Sequence, residues 1–111
     1  MKLVAFDAPR EITQHGSVGA TVGGLANLGG WARIVVIQLE PGGVLGMHPA
    51  TSPQLLLVAD GRARVRSGDN SPVEIAQGQG VFWEAGEPHE TTSGETGLTA
   101  IVVEAEELEL V

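Results

Sequence analysis

Apolar residues in this chain fall in short runs that are separated by glycine- and proline-rich turns. The clearest run, WARIVVIQL at residues 31–39, is rich in β-branched side chains and is followed by Pro41-Gly42-Gly43. A β-branched run that is closed by turn residues is typical of a buried strand. The pattern therefore predicts a strand over residues 31–39.

A second apolar run, QLLLVA at residues 54–59, precedes Asp60-Gly61 and an alternating Arg-Ala-Arg-Val-Arg segment at 62–66. Because Asp-Gly readily supplies positive φ at a tight turn, this pattern predicts a hairpin that turns at Asp60-Gly61. The same reasoning predicts further strands at 72–76, 81–83, 89–93 and 98–104, so that strands recur roughly every ten residues.

No segment shows the helical period of an amphipathic helix, which favours a sandwich or closed barrel over helical or α/β architectures. A chain of 111 residues fits one domain. Residues 1–30 are the least regular and predict N-terminal edge strands and loops, and residues 104–111 predict a frayed acidic tail or a final edge strand. We expect a single all-β domain over residues 1–111.

Charge and composition narrow the possible partners. With 14 acidic and 6 basic residues the formal net charge is −8, which disfavours binding to nucleic acid. Arg62, Arg64 and Arg66 share one face of a predicted strand, which we interpret as a solvated surface. The absence of cysteine excludes disulfides and thiolate chemistry and is compatible with a reducing cytoplasm. The apolar run at 3–6 is too short for a signal peptide or a membrane span, so we expect a cytoplasmic protein that binds neither membrane nor nucleic acid.

Chemistry must come from imidazoles, carboxylates, amides or hydroxyls, and three histidines are present. His48 and His89 each follow a glycine- or proline-rich loop, where barrel mouths hold functional side chains. His15 stands alone in the irregular N-terminal region and is expected to be exposed or locally satisfied. Alternation places Gln54 on the same strand face as Leu56 and Val58, and His89 on the same face as Thr91 and Ser93, but leaves open which face is inward.

The chain resembles the cupin superfamily, in particular its small single-domain members, over residues 42–93. The glycines, histidines and substituted positions fall without a gap at the spacings of the two cupin motifs: Gly42, His48, Ala50, Gln54 and Gly61 in the first, and Gly78, Glu84, Gly86, His89 and Ser93 in the second. The resemblance implies a cupin β-barrel, also described as a jelly roll or double-stranded β-helix. It also implies that His48, Gln54 and His89 point into the barrel.

The motifs are degenerate at the positions that bind metal in other cupins, where three histidines and a glutamate hold one divalent ion. Ala50 replaces the second histidine and Gln54 replaces the glutamate. The resemblance therefore implies a metal site formed by His48, His89 and Gln54, with a gap beside Ala50. Two neutral imidazoles and an amide suit later first-row ions, so Ni, Cu and Zn should bind better than Fe or Mn, although the missing carboxylate lowers affinity.

Four further residues are candidates to line an apolar pocket: Met47, Ala50, Trp83 and Thr91. Phe82 and Trp83 are adjacent, so on a strand they face opposite ways and at most one of them lines the cavity. An outward aromatic on an acidic domain suggests the buried interface of a homodimer.

Three functions remain open. The first, which the resemblance to cupins implies, is a metal-dependent dioxygenase, decarboxylase or isomerase that acts on a small organic molecule. The second is a metal-free enzyme in which His48 or His89 is the general acid or base, helped by Glu84, Glu87 or Glu90. The third is a non-catalytic barrel that binds a small ligand. The sequence predicts no DNA-binding helix beside the barrel, which disfavours a one-chain transcription factor.

Overall fold

A computed structural model describes all 111 residues of the chain and contains β-strands, one 3-10 turn at Gln14–Gly16 and no α-helix. No helix has the length and apolar character that crossing a bilayer requires. The all-β prediction is confirmed. The strands are β1 (Lys2–Ala5), β2 (Arg10–Ile12), β3 (Ala20–Val22), β4 (Ala26–Leu39), β5 (Val44–Pro49), β6 (Gln54–Ser67), β7 (Val73–Ala76), β8 (Gln79–Trp83) and β9 (Pro88–Leu110).

Seven of these strands form one antiparallel sheet in the order β1-β8-β6-β9-β4, to which β5 adds beside β9 and β7 beside β6. Strands β6 and β9, which are 14 and 23 residues long, pair in two separate stretches. Residues 54–58 lie opposite 100–104, and residues 63–67 lie opposite 89–93. Each long strand therefore contributes to both walls of the barrel. Strands β2 and β3 form a separate two-stranded sheet.

The two stretches are separated by a bulge at Gly61, where the β6–β9 register shifts. Gly61 has φ of 87° and Gly97, on the facing strand, has φ of 80°. A Cβ on Gly61 would collide with the carbonyl oxygen of Gly97. The predicted hairpin at Asp60-Gly61 is therefore wrong. Glycine does supply the positive φ, but the segments on either side of it pair with β9 and not with each other.

The hydrophobic core fills the space between the two stretches. Leu56 and Val58 from the first stretch meet Ala63 and Val65 from the second, and all four side chains are buried. Gln54 shares the inner face with Leu56 and Val58, as alternation predicted. The other core residues come from β7, β8 and β9: Ile75, Val81, Trp83, Leu98, Ala100 and Val102.

The acidic C-terminal segment is ordered as part of a strand. Residues 104–110 complete β9 and pair with the first half of β4, with Leu108 opposite Leu28 and Leu110 opposite Ala26. The frayed tail is therefore not observed, and the edge-strand alternative describes this segment. Its first residue, Glu104, lies opposite Gln54.

The outer face of the sheet is apolar, apart from Lys2, where β1, β8, β6, β9 and β4 lie side by side. Residues directly opposite each other in antiparallel strands point to the same side, and one such row holds Lys2, Phe82, Leu55, Val103 and Ile34. As alternation predicted, Trp83 lines the cavity and Phe82 faces outward, where it lies between its neighbours on β1 and β6 and is only 8% exposed. The exposed apolar surface belongs to β4, where Ile34 is 67% exposed and Val36 is 61% exposed.

Candidate functional site

A cavity of about 160 Å³ lies inside the barrel between β4, β5, β6, β8 and β9. Six of its 11 lining residues are hydrophobic, and the polar ones converge from three strands, which is the composition of a small-molecule site. A larger open groove of about 850 Å³ runs past Arg62 and Arg64 but contains no histidine. The lining of the inner cavity is Val35, Ile37, Leu45, His48, Gln54, Leu56, Trp83, His89, Thr91, Val102 and Glu104.

Two histidines face each other across β5 and β9. His48 lies directly opposite His89 in the register, just after a bulge in β5. Their ring centroids are 4.4 Å apart at an interplanar angle of 53°, and the indole of Trp83 lies 4.5 Å from the His89 ring. His89 is only 5% exposed, whereas His48 is exposed. One imidazole is therefore accessible and the other lies beneath it.

Both imidazoles are oriented by backbone carbonyls. The Nδ1 atom of His48 lies 2.6 Å from the carbonyl oxygen of Gly46, and Nδ1 of His89 lies 3.1 Å from that of Glu87. A carbonyl only accepts hydrogen bonds, so each Nδ1 carries the proton and donates it. Each Nε2 is then left with a lone pair that is able to bind a metal ion or accept a proton.

The charge state of His89 follows from its burial. Loss of solvent lowers its pKa most strongly. The hydrogen bond to the Glu87 carbonyl raises it, the nearby charge of His48 lowers it, and the Glu87 carboxylate raises it. The net result is a pKa below the ordinary value of 6.5. At neutral pH His89 is therefore the neutral imidazole that either metal binding or base catalysis requires.

Gln54 meets a carboxylate that the sequence reasoning did not assign to the site. The Gln54 Nε2 donates to Oε1 of Glu104 over 3.2 Å, and the two residues lie directly opposite each other on β6 and β9. Arg33 Nε lies 3.8 Å from the other carboxylate oxygen of Glu104. Alternation along β9 gave a usable signal, since Glu104 shares a face with the buried residues Val102 and Ala100.

The three glutamates nearest His89 in sequence lie outside the cavity lining. Glu84 is exposed, and Glu90 pairs with Arg66 at 3.0 Å. Glu87 accepts the backbone N–H of Glu84 and so shapes the loop before His89. Burial acts to raise the pKa of Glu87, but hydrogen bonds from the N-terminal ammonium, Ser67 and that backbone amide outweigh it and lower the pKa below 4.5. Glu104 is the carboxylate that the cavity contains.

Of the four predicted pocket residues, Trp83 and Thr91 line the cavity, whereas Met47 and Ala50 do not. Ala50 follows the last residue of β5, and its backbone is hydrogen bonded to the loop at Gly86 and Glu87. It is buried there and is not part of the cavity lining. His15 lies on the 3-10 turn, exposed and away from the cavity.

The donor atoms suit a divalent ion only in part. No group of three or more histidine, aspartate and glutamate side chains is arranged to hold an ion. Two imidazole Nε2 atoms remain as donors, and the amide oxygen of Gln54 could be a third, because the NH₂ group of Gln54 is directed at Glu104. Such a set suits later first-row ions and leaves coordination positions open to water or a ligand.

Comparisons with known proteins agree on the fold. The profile of the cupin domain matches residues 35–104, which is 70 of the 111 residues. A cupin-like protein from Thermotoga maritima superimposes with a TM-score of 0.64 at 16% identity, covering 72% of this chain and 64% of that one. An uncharacterised double-stranded β-helix protein from Klebsiella pneumoniae gives 0.62 at 20% identity, covering 72% and 74%.

A DMSP lyase from Ruegeria pomeroyi also superimposes, with a TM-score of 0.62 at 20% identity. The match covers 67% of this chain but 38% of the lyase, and so spans less than two thirds of the lyase, as it does of the Thermotoga protein. No curated protein matches the sequence. At these identities the superpositions show a shared fold.

Proposed function

This chain belongs to the cupin family, and we propose that its barrel binds one divalent transition-metal ion weakly, together with a small organic molecule. The Nε2 atoms of His48 and His89 are the main ligands and the amide oxygen of Gln54 is the third. One observation carries this proposal: both Nδ1 atoms donate to backbone carbonyls, which leaves two Nε2 lone pairs in one cavity.

The ion would act as a Lewis acid toward a carbonyl or carboxylate of the bound molecule. The chain's own residues bind and orient that molecule. His48 stands at the accessible side, Trp83 and Val102 exclude water from the apolar side, and Thr91 offers a hydroxyl. A metal-dependent dioxygenase, decarboxylase or isomerase reaction fits this arrangement. Because the chain resembles a DMSP lyase in fold, an elimination reaction is a further candidate beside these three.

The size of the cavity limits the ligand. A volume of about 160 Å³ is below the ~300–1,000 Å³ that is usual for pockets that hold drug-sized ligands. A ligand that fits wholly inside is therefore a small organic acid, amide or similar compound with few heavy atoms. Larger molecules would extend past His48 into solvent.

A metal-free acid–base enzyme is the second candidate, because the two histidines and Glu104 that line the cavity are not arranged as a three-ligand metal site. In that case His89 accepts a proton at Nε2, since burial keeps it neutral. The helper carboxylate would be Glu104 and not Glu84, Glu87 or Glu90, because only Glu104 lines the cavity. A non-catalytic ligand-binding barrel would use the same lining without turnover.

We also propose that a second copy of the chain covers the outer sheet face. Ile34 and Val36 are both exposed on β4, beside Val103 and Ile101 of β9. No acidic residue stands in the two cross-strand rows that contain them, although the chain carries a net charge of −8. Two acidic copies would therefore meet here with apolar contact and little local repulsion.

The metal proposal is tested by titration of protein purified without chelator. Ni²⁺, Zn²⁺, Cu²⁺, Fe²⁺ and Mn²⁺ are added to the wild type, to the double variant His48→Ala/His89→Ala and to His15→Ala, which removes a histidine outside the cavity. We expect the wild type and His15→Ala to bind Ni²⁺ and Zn²⁺ equally and the double variant to bind neither. Equal binding by all three proteins would contradict the proposal.

A further inference from the structure

The cavity contains one carboxylate that no cupin motif position supplies. Glu104 lies at the end of the stretch in which β9 pairs with the first half of β6, and it lines the cavity together with both histidines. The motif position that carries glutamate in metal-binding cupins is Gln54 here, directly opposite Glu104. The carboxylate thus lies on the neighbouring strand, at the position directly opposite the one that carries it in metal-binding cupins.

We propose that Glu104 is the positioning residue of the metal site: it orients Gln54 and supplies the negative charge that the motif position lacks. This inference rests on the proposed binding of an ion by His48 and His89. Glu104 acts through Gln54 because its carboxylate does not form a three-ligand group with the histidines.

The orientation follows from hydrogen-bond chemistry. An ionised carboxylate only accepts hydrogen bonds, so the amide NH₂ of Gln54 must face Glu104. The amide oxygen is then directed away from Glu104 and is free to serve as a ligand. Without the carboxylate, either end of the amide could face an ion, and only the oxygen end binds one.

The charge balance supports the same assignment. Two neutral imidazoles and an amide contribute no negative charge, so Glu104 is the only anionic side chain in the cavity lining. Its side chain is 18% exposed, whereas that of Arg33 is 67% exposed and lies 3.8 Å from it. Solvent therefore screens the attraction between Arg33 and the carboxylate more strongly than it screens the attraction between the carboxylate and a cation inside the cavity. The carboxylate is therefore available to compensate a cation.

The facing arrangement permits a direct test by exchange. In the double variant Gln54→Glu/Glu104→Gln, the hydrogen-bonded pair and the net charge are retained, and the carboxylate moves to the motif position. The single variant Glu104→Gln removes the charge from the cavity. Glu109→Gln is the matched control, because Glu109 lies on the same strand, is exposed and is absent from the cavity lining.

Affinity for Zn²⁺ and Ni²⁺ is measured by competition with a chromogenic chelator, and folding of each variant is checked by thermal unfolding. We expect Glu104→Gln to bind the ions about 10- to 100-fold more weakly than the wild type, the usual effect of losing a residue that orients a ligand. Glu109→Gln should match the wild type. The exchanged double variant should recover at least the wild-type affinity, because it returns a carboxylate to the cavity at the position that binds metal in other cupins. A lower affinity with unchanged thermal unfolding in Glu104→Gln is the result that a merely structural role for Glu104 would not produce.

Equal affinities for Glu104→Gln and Glu109→Gln would overturn the role of Glu104, as would failure of the exchanged variant to recover binding. In either case His48→Ala/His89→Ala would still bind more weakly than the wild type if the proposed function is correct. If the wild type binds no better than that histidine variant, both the inference and the metal proposal are overturned. If Glu104→Gln does not fold, the exchanged variant is compared with Gln54→Glu alone. The additional carboxylate of Glu104 should make Gln54→Glu bind the ions more tightly, and equal affinities of these two variants would overturn the role of Glu104.

Discussion

Two cross-strand pairs face the same cavity, and they are held in different ways. The His48–His89 pair is oriented by carbonyls of the backbone, Gly46 for one ring and Glu87 for the other. The Gln54–Glu104 pair is oriented by its two side chains acting on each other. Backbone carbonyls are unaffected by side-chain substitution, so the histidines are built into the fold, whereas the amide and carboxylate depend on one another.

The largest expected effect comes from removing the side chain that packs against the histidine pair. Trp83 is buried in the core and packs against the His89 ring. We expect Trp83→Ala to lower the free energy of unfolding by about 3–5 kcal/mol, because it leaves a large cavity. Glu104→Gln should cost less than about 1 kcal/mol, since it replaces a partly exposed hydrogen bond. Urea denaturation of both variants measures this difference, and similar costs would contradict it.

Loss of either imidazole should weaken ion binding more than loss of the amide. We expect His48→Ala and His89→Ala each to lower Zn²⁺ affinity about 100-fold, equal to about 2.7 kcal/mol. Gln54→Ala should lower it by about tenfold, because an amide oxygen is the weaker ligand for a later first-row ion. Isothermal titration calorimetry checks the order. A larger loss for Gln54→Ala would reverse the comparison.

The pH dependence of stability should report the buried histidine. The pKa of His89 is lower in the folded protein than its ordinary value of 6.5, so the unfolded chain binds a proton first as pH falls. The buried, neutral His89 therefore contributes fully to the free energy of unfolding above pH 6.5, and this contribution is lost as the pH falls through the lowered pKa. We expect a decline of at most ~1.4 kcal/mol per pH unit. Urea unfolding at several pH values should show this decline in the wild type and a smaller one in His89→Gln, and equal slopes would contradict it.

The smallest effect on ion binding should come from substitutions on the outer face of the sheet. Ile34→Lys with Val36→Lys places two charges on the exposed apolar surface of β4, which should turn a dimer into a monomer. Zn²⁺ affinity should change less than about twofold, because neither residue lines the cavity. Sedimentation velocity measures the first outcome. A wild type that is monomeric at all concentrations would contradict the proposed homodimer.

Much of the fold could be predicted because it is encoded in local patterns. Alternation placed Gln54 with Leu56 and Val58 on one face, and the β-branched run at 31–39 predicted most of β4. The bulge at Gly61 could not be predicted, because the residue's preference for positive φ is the same in a hairpin turn and in a bulge. The difference depends on pairing with β9, which lies more than 25 residues later in the chain.

The site residues differ in the same way: some are encoded in local motifs, and one depends on long-range strand pairing. His48 and His89 were predicted because they occupy positions of two short motifs that carry their own turn residues. Glu104 was missed because its place in the cavity depends on a register between residues that are 50 positions apart. In sequence it looks like the first glutamate of an acidic tail. Only the pairing of β6 with β9 makes it the partner of Gln54.

The ¹⁵N chemical shifts of the ring nitrogens show most directly whether both histidines present an unprotonated Nε2 to one ion. At pH 8 without metal, we expect His48 and His89 both to carry the proton on Nδ1. On addition of Zn²⁺ both Nε2 resonances should shift together, while those of His15 stay in place. Protons on Nε2 in the free protein, or Nε2 shifts that do not respond to Zn²⁺, would contradict the proposed metal site.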